Sequence, residues 1–295
     1  ALQGASPYGG FVRVAGFENE DISVLSSRQV AGLGSVQLRS FSSDAVRAIQ
    51  PSALPGLTTS ALRGLLTESF VGFSNEQVRA LSAVQVGALV GGISFLSPEQ
   101  LGEIGSRQVA GLVAMNGLDA VQVGRLRPEV IRGLSSAQLS SLTPGALIGL
   151  TEEQVNEIGS TQIPALIRSG DNGQRFFTLS QDQVPGLRGD SLRGLRPEDI
   201  SALVSVGGFT DEQMRSLSTA QVAGIIGGTS TTGVILGEEL LALAPAQVAA
   251  LNPSVVAGLE AMELSRFGSD QVRALTPQQI GAIGAADQMG SVRGG

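Results

Sequence analysis

An apolar residue recurs every eight positions, and this period decides what the chain can fold into. In that frame the sequence reads LSSRQVAG from Leu25, FSNEQVRA from Phe73, LSPEQLGE from Leu96, LTEEQVNE from Leu150 and LTPQQIGA from Leu275. Twenty-eight complete octads fit between Phe17 and Ala282. Position one is Leu, Ile or Phe in all 28 and position six is apolar in all 28, while position eight is Gly or Ala in 20 and position five is Gln in 16. Columns held so strictly mark a repeat array whose units bury their apolar pair against neighbours.

Each octad reads as the start of a helix. Ser or Thr at position two with Gln at position five forms a capping box, as in Ser26/Gln29, Ser97/Gln100, Thr151/Gln154 and Thr276/Gln279. Eight of the 12 prolines (Pro51, Pro98, Pro128, Pro144, Pro197, Pro245, Pro253 and Pro277) stand at position three, the first helical position, where the missing N–H costs nothing. Acids at position four fall in the first turn and oppose the positive helix end. A cap every eight residues leaves about one and a half turns per helix. Positions six and one of the next octad lie three apart and share a helical face, with a small residue between them to permit close approach. A β-solenoid fits less well, because spacings of five and three place these residues on opposite strand faces. Pro55, Pro164 and Pro185 fall at position seven, so those units are expected to be 3₁₀ turns or to end early. The fold class expected is all-α, a solenoid of very short helices (about 1–2 turns) built from 8-residue repeats.

One octad cannot stand alone. Burying two large side chains contributes roughly 3–6 kcal/mol, whereas ordering eight residues costs about 12 kcal/mol. Stability must come from stacking. The glutamine column is compatible with a ladder between stacked turns or with helix capping alone. Six acids stand three residues before an arginine: Asp44/Arg47, Glu76/Arg79, Glu129/Arg132, Asp190/Arg193, Glu212/Arg215 and Asp270/Arg273. They predict local ion pairs on a solvated face rather than a basic stripe for nucleic acid.

The expected organisation is an N-terminal arm at 1–16, one octad array at 17–282 and a Gly-rich tail at 283–295. Interruptions fall near 89–95, 112–117, 166–178, 203–208 and 225–234. Each runs from an apolar residue into glycine, which predicts a lengthened helix with a glycine C-cap, and the longest read as corners or loops. The arm contains Phe11, Val12 and Val14, which have no octad of their own. With Phe17 and Ile283 at the two ends of the array, they are the expected contacts for end-to-end association with copies of the same chain.

Composition removes most chemistry. There is no His, Cys or Trp, and all 19 basic residues are Arg. Imidazole, thiol and Schiff-base catalysis and soft-metal sites are excluded. Adjacent acids such as Glu152/Glu153 and Glu238/Glu239 fall in or beside the capping columns, and Asp171-Asn172-Gly173 reads as a turn rather than a calcium loop. No catalytic, cofactor or metal site is expected, and no enzyme. A net charge of −7 argues against a nucleic-acid partner. No apolar run is long enough for a membrane span. The chain opens at Ala1 without an apolar targeting segment, so a processed product or an excerpt is expected.

The octads LSPEQLGE at Leu96, LSTAQVAG at Leu217 and LTPQQIGA at Leu275 resemble the LTxxQVxAL repeats of long exported bacterial proteins of the adhesion or haem-utilisation type. The resemblance covers about Phe17–Ala282 and implies a secreted or cell-surface location and adhesion to a host surface or glycan. Haem is not expected, since only Tyr or Met remains to ligate it. The LTPEQV wording also resembles TAL-effector repeats, but the octad lacks their longer two-helix unit. The resulting expectation is a structural protein, a stalk segment or filament subunit that assembles head to tail. The alternative is a scaffold that binds a protein or glycan through its inserts.

Overall fold

The computed structural model describes residues 17–89, 92–169, 175–204, 206, 208–225, 237–259 and 261–283. The expected arm residues Phe11, Val12 and Val14 and the Asp171–Gly173 turn lie outside them, as do most of the interruption at 225–234 and of the tail. The class is all-α: short helices of about one turn fill most of the described chain. The chain divides into two compact units, Ala1–Gly149 and Leu150–Gly295.

The octad caps form as expected. Ser74 shows the geometry: the Gln77 N–H donates to its Oγ at 3.2 Å, and its own N–H donates to Gln77 Oε1 at 2.7 Å. The four boxes named from sequence, Ser26/Gln29, Ser97/Gln100, Thr151/Gln154 and Thr276/Gln279, all close. The eight position-three prolines all occupy the first helical residue. The position-seven prolines sit in 3₁₀ turns, at Pro51–Gly56, Ile163–Leu166 and Val184–Gly186. The tighter turn dispenses with the bond that Pro would have removed.

Long-range packing sets the next level. Each octad lies against one a coil away, three octads on where the array is unbroken and two octads on where an interruption intervenes. In the first unit Ser27–Val30 packs on Pro51–Gly56, which packs on Asn75–Ala80 and then Pro98–Leu101. A second column runs Ser35–Arg39, Thr59–Leu62, Ala83–Val86, Ser106–Val109, Pro128–Gly133. A third begins Asn19–Ser23, Ser43–Ala48, Thr67–Gly72. In the second unit Pro197–Val204, Thr219–Ala223, Pro245–Ala250 and Ser269–Ala274 make one column, and Asp211–Ser216, Gly237–Leu240 and Ala261–Ser265 another. Three octads therefore make one coil, and position-one and position-six side chains meet inside it. Val30, Val78, Val109 and Leu139 at position six are fully buried.

The small column at position eight serves this stacking. A methyl group on Gly64 would lie 2.2 Å from the Ser35 carbonyl oxygen, and one on Gly72 2.0 Å from that of Ser43. The tight approach is thus to the first helical residue one coil earlier, not between positions six and one as the sequence spacing suggests.

The interruptions differ from one another. Pro197–Val204 is the longest helix among the described residues, as a lengthened helix predicts, but the positive-φ Gly208 lies four residues past its end rather than at the C-cap. At 89–95 the chain makes a 3₁₀ turn at Gly92–Phe95 instead, and 112–117 is irregular around the buried Met115. At 166–178 the structure departs from the expected helix extension. Ile167–Ser169 and Arg175–Phe177 pair as an antiparallel hairpin, with Ile167 opposite Phe177. Ile167, Phe176 and Phe177 are residue types that favour strand pairing.

Candidate assembly surface

The glutamine column joins one coil to the next, and it does so with both ends of the amide. In Gln77 the Oε1 accepts from the Ser74 N–H, while Nε2 donates to the Val46 carbonyl at 2.8 Å and to that of Ile49. Gln85 reaches Leu54 and Leu57, Gln108 reaches Val78 and Leu81, and Gln138 reaches Val109 and Leu112. The second unit repeats the pattern from Gln213, Gln221, Gln247 and Gln279. In these octads the main acceptors are the position-six carbonyl and the next position-one carbonyl of the coil before, whereas Gln100 reaches Phe73 alone and Gln122 reaches Ser94 and Leu96. An amide has one acceptor and two donor hydrogens, so all three are used. Gln77 is only 1% exposed at no unsatisfied cost. Capping and laddering, left as alternatives by the sequence, are one arrangement.

Where position five is not Gln, a different polar side chain stands in the column in some octads and an apolar one, such as Ala45, Ala61 or Val130, in others. Ser69 Oγ donates to the Phe41 carbonyl and Ser191 Oγ to that of Ile158. Asp199 is buried and accepts from Arg196 of its own octad at 3.0 Å. Glu239 reverses the polarity: it accepts the N–H groups of Phe209 and Gly208, and burial pushes its carboxyl above the ordinary range. Sequence reading missed these roles, although each residue is visible as an exception in the glutamine column.

In the octads of Leu25 and Leu33, Gln29 and Gln37 cap their helices through Oε1, but both are exposed, and neither Nε2 meets an acceptor among the described residues. Beside them Phe17 is 44% exposed, and Leu25 and Leu33 are half-buried. Interior position-one residues such as Leu57 and Phe73 are 3% exposed. In the last octads the position-six residues lose their cover: Val272 is 49% and Ile280 55% exposed, and Leu264 is half-buried. Ile283, named from sequence with Phe17, is half-buried at this end.

The arginines form no continuous basic stripe. Asp270–Arg273 closes as expected at 3.0 Å. Other acids and arginines of the expected pairs bond differently: Arg79 bonds Glu103 one coil away, Arg215 bonds Asp211, Asp190 bonds Arg188, and Glu129 bonds Arg127. At position seven the arginine lies at the helix end and reaches whichever acid is nearer. The Arg79 guanidinium holds the Glu103 carboxyl below its usual range. A shallow groove beside this pair is lined by Arg79, Ser82, Arg107, Arg127 and Glu129, so both charge signs face it.

Among the described residues no three carboxylates are placed to hold a metal ion, and no helix is long and apolar enough to cross a membrane. No protein-family profile, curated protein or solved structure matches the chain.

Proposed function

We propose that the chain is a structural repeat protein. It is a solenoid of octads that serves as a stalk segment or filament subunit of a bacterial extracellular adhesin or surface fibre, and it assembles head to tail with copies of itself. The observation that carries this reading is the use of the buried polar side chains. The interior glutamines are spent on joining coil to coil, which builds length rather than a cleft. Repeat arrays stabilised by nearest-neighbour interfaces suit extension. The location and the adhesive role rest on the resemblance of the octads to exported bacterial repeats.

A second reading, a scaffold that binds a protein or glycan through its inserts, draws on the hairpin at Ile167–Phe177, where Phe176 is 43% exposed. Electron microscopy of the purified chain separates the two. Fibres support the structural reading. Discrete particles that bind a glycan array, and lose binding when the hairpin is replaced by an octad, support the scaffold.

A further inference from the structure

We infer that the head-to-tail contact is a coil-on-coil joint of the same register as the joints inside the chain, with Gln29 and Gln37 of one copy donating to carbonyls of the Leu264–Leu275 stretch of the next. This deepens the structural reading and rests on it. Inside each unit an octad's glutamine reaches the position-six and next position-one carbonyls one coil back. Continuing that register past Ala282 assigns Gln29 to the carbonyls of Leu264 and Phe267, and Gln37 to those of Val272 and Leu275. Among the described residues, no glutamine bonds these four carbonyls. The apolar halves match as well. The exposed Phe17 and the half-buried Leu25 and Leu33 are position-one residues, and they would cover Leu264, Val272 and Ile280 at position six.

Neither face resembles a finished end. One presents amide donors without acceptors, and the other presents position-six side chains that are fully buried in octads such as Leu134–Ser141. The chain carries both halves of one complementary surface, and the occupant of each is a second copy. The contact is heterologous and does not close on itself as a dimer, so it propagates.

The test uses the full chain and two double variants followed by sedimentation velocity over a concentration series. Gln29→Glu with Gln37→Glu keeps the capping acceptor but removes the donors and sets carboxylates against carbonyl oxygens. Val272→Asp with Ile280→Asp places charge on the other face, at sites already half exposed in the single chain. Melting curves matching the parent's establish that each variant is folded, and the two pairs lie in different units, so either alone tests the joint. The parent is expected to form growing oligomers and each variant to stay monomeric. An equal mixture of the two variants is expected to stop at dimers, because one intact head meets one intact tail. A parent that associates while both variants associate equally overturns this joint but leaves head-to-tail assembly standing. Variants that stay monomeric in the mixture also overturn the joint. A parent that is monomeric at every concentration overturns both.

Discussion

Replacing Gln77 by Met separates the two jobs of the glutamine column. The side chain accepts from the Ser74 N–H at its own helix cap and donates mainly to the Val46 and Ile49 carbonyls, with a longer contact to that of Arg47 at 3.3 Å. Each contributes about 1 kcal/mol net, and a donor left buried without a partner costs about 1–3 kcal/mol. Met fills nearly the same volume, so the cavity contribution is small. The expected loss is about 3–4 kcal/mol, the sum of those bonds with a modest penalty at Ser74. Gln29→Met provides the internal reference. Gln29 is exposed and makes only the bonds within its own octad, and its loss is expected to cost about 0.5–1 kcal/mol, the usual value of a cap. The difference, roughly 2–3 kcal/mol from two coil-spanning bonds, measures the inter-coil joint. Urea denaturation followed by circular dichroism measures both variants against the parent. Equal losses at the two positions would refute the reasoning, because they would leave capping as the whole role of the glutamine.

Gly64→Ala is expected to destabilise by more than about 2 kcal/mol in the same assay, since its methyl meets the Ser35 carbonyl oxygen at 2.2 Å and the backbone must move. Gly258→Ala, whose nearest contacts lie at 3.5 Å, is expected to be neutral or to stabilise by up to about 1 kcal/mol. Leu139→Asp puts an unpaired charge at a fully buried position-six site and is expected to abolish cooperative melting of its unit, whereas Val272→Asp, at a 49% exposed position six, stays near the parent's melting temperature. Glu239→Gln tests the reversed joint through pH. Burial raises its folded carboxyl above the unfolded value, so any advantage of the acid is present below the unfolded pKa and lost as pH rises through the folded one. The variant is therefore expected to melt higher than the parent at neutral pH, with the gain vanishing toward pH 4, where the unfolded carboxyl protonates at about 4.3. A gain that does not change with pH contradicts the assignment.

What was legible in the sequence is what is local. A cap, a first-turn proline and a 3₁₀ turn are fixed by residues within one octad, so Ser97, Pro98 and Pro55 announce their roles. Stacking is not local. Nothing in one octad states that its partner lies three octads away, and so the number of octads per coil was not legible. The same limit explains the glutamines. The acceptor half of the Gln77 amide closes within its octad and can be read, while the donor half spends itself 28 and 31 residues back. The ion pairs fail for a related reason: Arg79 has Glu76 three residues before it, but the coil brings Glu103 closer. Of the expected assembly contacts, Phe17 is exposed in the first unit and Ile283 is half-buried in the second. The outward amides of Gln29 and Gln37 agree with the repeat consensus, so nothing within their octads distinguishes them from the interior glutamines.

The account turns on the glutamine side chain bridging coils, and one measurement addresses that contact itself. In chain labelled with ¹⁵N at glutamine side chains, nuclear Overhauser spectra report which protons lie within about 5 Å of each amide. In the Val272→Asp, Ile280→Asp variant, which is expected to stay monomeric, the Gln77 amide protons are expected to show cross-peaks to backbone protons of residues 46–50 as well as to Ser74, and those of Gln29 to show cross-peaks within their own octad alone. Gln77 cross-peaks confined to residues 73–80 would contradict the bridge, and with it the joint proposed between copies.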